Sequence, residues 1–242
     1  MTIPSANFSD AKNLKILAID TSMDACSAAL LIDDAIFSKY EYAPKQQTKR
    51  ILPMLENLLS DCELALTDLN LISFANGPGG FTGARIAAAV TQGLALGANI
   101  PVLGISTLQA IAQGIYRQYN APNVLVCLDA RMQQVYWSVY QLGEKQIMEA
   151  VVPDNIYYPD HIPSISLQNY FATGDGWLSF GEKIKQQLQI TIDKVIEDFN
   201  PHAEDIAHLA KVQFLKGHFY SAEQALPIYL KGTSNWKKIT ER

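Results

Sequence analysis

Apolar residues along this chain come in short runs that stop at an acid or a polar turn. Lys15–Asp20 (KILAID) is such a run and ends in Asp20. Ala25–Ile32 (ACSAALLI) and Ala35–Tyr42 (AIFSKYEY) follow, split only by Asp33-Asp34. Two β-prone runs across a two-residue polar turn predict a hairpin, so the chain opens with three strands. Ile51, Leu55, Leu58, Leu59 and Cys62 recur at helical spacing and predict a helix near 48–61, with Pro53 kinking it or delaying its regular start. Leu71–Ala75 reads as buried strand and 76–83 (NGPGGFTG) as a loop. Thr82 or Gly83 opens a helix to about Leu96. Val102–Ile105 predicts a strand, and Ser106 or Thr107 caps a helix reaching Tyr119.

The pattern then repeats. The run 123–129 (NVLVCLD) is again apolar and ends in Asp129, with a short turn and a strand over 135–141 behind it. ILAID-TSMDA-CSAALLI and VLVCLD-ARMQQ-VYWSVYQ both read strand, acid, five-residue turn, strand. A duplication with two halves meeting around 110–122 accounts for this, and so does coincidence between two ordinary hairpins. Beyond, 147–152 predicts a strand, 157–163 a Pro-rich loop, 171–177 a strand running into a glycine turn, and 203–216 a helix closed by Gly217. The expected organisation is a polar, flexible N-terminal extension (1–13), an N-terminal lobe (14–110) and a C-terminal lobe (111–242), mixed α/β throughout.

Composition narrows the function. Hydrophobic residues make up 48% and charged residues 18% of the 242 positions, enough for a sizeable core and far from a disordered composition. The net charge of −5 disfavours free-standing nucleic-acid binding, since phosphate contacts need clustered Lys and Arg. Lys45, Lys49 and Arg50, and the segment from Lys231 to Lys238, are the locally basic spots; both read most simply as solvated surface. Cys26, Cys62 and Cys127 are scattered and form no CxxC, which suits free thiols in a reducing, cytoplasmic setting. No basic-then-apolar leader opens the chain. The stretch 86–116 lacks charge, but Gly97, Pro101 and several polar residues interrupt it, so no membrane association is expected.

Candidate chemistry is thin. The four histidines (His161, His202, His208, His218) form neither HExxH nor HxxxH, and GxSxG is absent. Gly77–Gly83 could cradle an anion at a helix N-terminus. A P-loop, however, needs Lys and Ser/Thr after its last glycine, where this chain has Ala84-Arg85. A tight strand-to-helix turn is the better reading. Along the following helix Ile86, Val90, Leu94 and Gly97 form one stripe, expected to face a sheet. Arg85, Ala88, Ala89, Gln92 and Leu96 form a second, which either faces a partner helix or is buried in the monomer. Asp20 with Thr21-Ser22, Asp129, and Gly174 and Gly176 stand where an actin-like ATPase holds Mg²⁺-nucleotide. The turns TSMDA and ARMQQ contain no glycine clasp, so these positions read as vestiges of a nucleotide site.

ILAIDTS, KRILPMLENLL, GPGGFTGARIAAAVTQGLALG, GISTLQAIAQG, LDARMQQVYWSVY, TGDGW and PIYLKGTSNWKK together resemble the bacterial TsaB (YeaZ) family over about 14–238. The resemblance implies two actin-like (ASKHA) lobes and a part in making N6-threonylcarbamoyladenosine beside the anticodon of ANN-reading tRNAs. It implies a non-catalytic paralogue of the transferase TsaD, working with TsaD and the ATPase TsaE, and forming a homodimer when TsaD is absent. It implies no cofactor of its own, ATP and metal on the partner subunits, and tRNA reached only through the complex. The implied partner surface comprises the two N-terminal helices, with Thr48, Arg50, Ile51, Met54, Leu55, Arg85, Ala88, Ala89, Gln92 and Leu96 as candidates. Gln47 stands where relatives often carry His, and Gly80 where they carry Ser. The competing readings are an actin-fold ATPase or small-molecule kinase, and a glycoprotease-like metallopeptidase, which the missing HxxxH opposes.

Overall fold

The computed structural model describes residues 13–166 and 169–230. Most of the expected extension, 1–12, and the basic segment 231–238 lie outside the described residues. β1 (Lys15–Asp20), β2 (Ala25–Ile32) and β3 (Ala35–Tyr42) form an antiparallel meander around the Asp33-Asp34 turn. After α1 (Gln47–Asp61), β4 (Leu71–Ala75) joins β1 in parallel. After α2 (Phe81–Ala98), β5 (Val102–Ile105) joins β4 in parallel. α3 (Thr107–Tyr119) closes this half; the Ser106 hydroxyl accepts from Leu108 N and Gln109 N, the cap its sequence predicts.

The second half repeats the plan. β6 (Asn123–Arg131), β7 (Gln134–Leu142) and β8 (Met148–Tyr157) form a meander. β9 (Tyr170–Thr173) pairs in parallel with β6, and after α4 (Gly176–Leu188) β10 (Ile192–Ile196) pairs in parallel with β9. The sheet orders are β3-β2-β1-β4-β5 and β8-β7-β6-β9-β10, one topology used twice. α5 (Ala203–Leu215) ends the second half, with Gly217 beyond it. β8 runs five residues past the 147–152 strand the sequence suggests. α4 and β10 are not foreseen by that pattern. Pro53 neither breaks α1 nor delays its start; it sits on the exposed face of the helix.

Each sheet is apolar on both faces. Leu17, Ile19, Cys26, Ala28 and Leu30 point to the side covered by α1 and α2. Ile16, Ala18, Ala29 and Leu31, one residue out of step, point to the other side, the strict alternation of a strand buried on both faces. That second side is covered by α5, through Ile206, Ala207, Ala210 and Phe214. Reciprocally α3, from the first half, packs on the second sheet through Leu108, Ile111, Ala112 and Ile115 against Val124, Val126 and Tyr140. The last helix of each half therefore lies on the other half's sheet.

Polar contacts pin this exchange. Asp154 of β8 accepts from the Ser106 hydroxyl and, at 2.5 Å, from Tyr140, so a carboxylate sits at the positive N-terminal end of α3. Arg117 near the C-terminus of α3 grips Asp205 of α5 with two nitrogens, at 2.9 and 3.0 Å, and Glu204 at 2.8 Å. Asp205 is 2% exposed, and burial pushes its carboxyl above the usual range despite Arg117.

Candidate functional site

Two features could carry function: the cleft where the two acid-ended strands meet, and the outer surface of α1 and α2.

In the cleft, Asp20 ends β1 with no solvent exposure. Its Oδ1 accepts from Ser22 N (3.0 Å) and the Ser22 hydroxyl (2.6 Å), a turn closed by its own side chains. Its Oδ2 is buried with no partner among the described residues, and burial lifts the carboxyl to about 6. The glycine loop lies directly on this turn. Gly80 N donates to Ser22 O (2.8 Å), and the Thr21 hydroxyl donates to Gly83 O (2.8 Å). A Cβ on Gly83 would fall far inside contact distance of Thr21 O, so only glycine admits the start of α2 here. The loop is thus tied to the chain's own β1–β2 turn through one amide, Gly80 N, and one carbonyl, Gly83 O, and it forms the strand-to-helix turn that the sequence suggests.

The second acid is arranged differently. Asp129 Oδ1 accepts from Arg131 N (2.7 Å), and Asp129 N donates to Asp175 Oδ1 (2.9 Å). Gly174, at φ +104°, brings this turn against Cys127 O, where a side chain would collide. Asp24, Asp129 and Asp175 line a cleft of about 440 Å³ together with Arg131, Tyr136 and Phe81. Three carboxylates and one guanidinium thus face this cleft. Of the six expected vestigial positions, Asp129 lines this cleft, Thr21 and Ser22 hold the glycine loop, Gly174 and Gly176 pack on Cys127, and Asp20 is sealed beneath. The contribution of Asp24 lay outside the sequence pattern. Among the described residues no group of three or more His, Cys, Asp or Glu is placed to hold a metal ion.

On the helical surface, Thr48, Arg50, Arg85, Ala89 and Leu96 are exposed and Gln92 is half-buried. Ile51, Met54, Leu55 and Ala88 are not surface: all four lie in the core between the helices and the first sheet. The stripe expected to face the sheet is also corrected. Ile86, Val90 and Leu94 are half-buried flanks, while Ala87, Thr91 and Ala95 are fully buried. α2 lies so close over β4 that only small side chains fit beneath it, and the bulky ones are displaced to its sides.

The chain's own C-terminal segment borders the same face. Tyr220 bonds reciprocally with Val102 (2.9 Å each way), and Gln92 reaches the carbonyls of Ala222 and Glu223. The Arg85 guanidinium stacks 3.5 Å from the Phe81 ring centroid, and its Nε donates to the Tyr229 hydroxyl (2.6 Å). Phe81, 60% exposed, and Tyr229, 52% exposed, belong to this surface; nothing in helical periodicity links residues so far apart in sequence.

Twinned sheets of one topology, each with an acid at or near the end of its first strand, define a two-lobed actin-like (ASKHA) protein. The family model described as "TsaD: tRNA N6-adenosine threonylcarbamoyltransferase" matches residues 40–162. The Escherichia coli tRNA threonylcarbamoyladenosine biosynthesis protein TsaB is 38% identical over 229 residues, covering 93% of this chain and 98% of that protein. Its Haemophilus influenzae namesake is 36% identical over 239 residues, 96% and 99% of the two chains. The solved structure of YeaZ from Pseudomonas aeruginosa superposes with a TM-score of 0.82 at 37% identity, over 90% of this chain and all of that one. The chain belongs to the TsaB family of tRNA threonylcarbamoyladenosine biosynthesis proteins. Among its described residues no helix is long and apolar enough to cross a membrane.

Proposed function

We propose that this chain is a non-catalytic subunit in N6-threonylcarbamoylation of the adenosine beside the anticodon of ANN-reading tRNAs. It binds the transferase TsaD, together with TsaE, in the cytoplasm, and meets tRNA only through that complex. ATP and metal belong to the partner subunits. The carrying observation is the filled turn: the loop that would cradle phosphate is bonded to Thr21 and Ser22 of the chain itself. The exposed parts of α1 and α2, around Thr48, Arg50, Arg85, Ala89 and Leu96, serve as the partner surface. The same surface pairs two copies when TsaD is absent. The test is co-purification with TsaD, followed by a tRNA-modification assay with each component left out in turn. Omission of this chain should abolish modification, and the chain alone should turn over neither ATP nor peptide. Full modification without it, or steady ATP hydrolysis by the isolated chain, would refute the proposal.

A further inference from the structure

Three of the four sheet edges are blunted. Tyr220 pairs with Val102 along β5. β8 carries Pro153 and two register shifts, and β10 is short with a shift of its own. Among the described residues β3 has none of these defences: its eight residues pair with β2 without a register shift, and Tyr40 and Tyr42 are 44% and 59% exposed. Ile32 faces Ala35 across the two-residue turn, and Ala43 N donates to Asp24 O. These bonds turn the odd-numbered backbone groups toward β2. The amides and carbonyls of Ile36, Ser38, Tyr40 and Tyr42 therefore point away from the sheet.

We propose that β3 pairs antiparallel with β3 of a second copy of this chain, about a two-fold axis at Tyr40. Backbone parity admits only registers that set even residues against even ones. Centring the axis on Lys39 opposes two lysines, centring it on Glu41 opposes two glutamates, and centring it on Ser38 sets Lys39 against Phe37. Centring it on Tyr40 sets Lys39 against Glu41 of the second copy, twice, with the two Tyr40 rings opposed. Lys39 already pairs with Asp61 (2.6 Å) and Glu41 with Arg50 (3.3 Å), so the seam reads Asp61, Lys39, Glu41, Arg50 in alternating sign. α1 packs over β2 more than over β3. This contact is isologous and closes on itself. It centres on the strand edge and shares only Arg50 with the face proposed for TsaD.

The test uses the full chain carrying Ala89→Arg, which removes the helix-face contact, with folding checked by circular dichroism. Opposed Tyr40 Cα atoms lie about 5.5 Å apart in a hydrogen-bonded pair, within disulfide range, whereas Ser38 opposes Tyr42. Tyr40→Cys should therefore give a cross-linked dimer on oxidation, and Ser38→Cys should stay at the background of the parent. In sedimentation, Lys39→Glu should weaken the dimer roughly tenfold, and Lys39→Glu with Glu41→Lys should restore part of it, the remainder being lost to like charges at Asp61 and Arg50. Equal cross-linking at both positions, no cross-link at Tyr40→Cys, or failure of the charge swap to restore any of the dimer overturns the proposal.

Discussion

At Asp20 a carboxyl is sealed at the end of β1 with one oxygen unpartnered among the described residues, and its pKa stands at about 6 against 3.8 for the free side chain. A raised pKa means the folded state holds the proton longer. Its stabilising contribution is complete below pH 3.8 and is lost as pH rises through about 6, on the order of 3 kcal/mol in all. Asp20→Asn keeps an acceptor for Ser22 and carries no charge. The stability difference between variant and wild type, read from urea unfolding at several pH values, should shift in the variant's favour between pH 4 and 7. A difference independent of pH would contradict this account. Gly83 offers a second test. Gly83→Ala pushes a methyl into Thr21 O and should cost about 1–3 kcal/mol, seen as a lower urea midpoint with α2 displaced from the Asp20 turn.

Elements differ in how legibly the sequence announces them. β1 to β3 were plain, because alternation sorts Leu17 and Ile19 from Ile16 and Ala18, and Asp33-Asp34 punctuates the hairpin. α3 was plain because Ser106 caps it. α4 was not, since Gly174 and Gly176 read as a turn and hid the helix start behind them. In α2 the small residues run all round, so pattern could not tell the buried Ala88 from the exposed Ala89; only the closeness of β4 decides. The acid-ended strands were legible as a pair, but the filling of the first turn by the loop from Gly80 to Gly83 is a tertiary fact. This sorting predicts opposite fates for neighbours. Ala88→Glu buries a carboxylate and should unfold the chain or cost at least about 3 kcal/mol. Ala89→Arg should leave the circular dichroism spectrum and melting temperature unchanged and abolish TsaD capture in a pull-down. Capture by a folded Ala89→Arg chain would move the partner surface elsewhere.

For the whole molecule, the exchange of α3 and α5 makes the two halves one cooperative unit. Arg117 joins the helices, and its loss strands the buried Asp205. Arg117→Met should cost about 3–5 kcal/mol, and pairing it with Asp205→Asn should recover much of that, both read from denaturant midpoints. The exchange also sets an order of events during synthesis. The first sheet is complete once Ile105 has left the ribosome, yet the cover for its second face, α5, is made about a hundred residues later. Until then the nascent chain shows Ile16, Ala18, Leu31 and Leu71 as bare apolar surface. Translation must therefore run nearly to its end before the first-made sheet is safe. A ribosome stalled in the second half leaves a chain that holdase chaperones or proteases will find first.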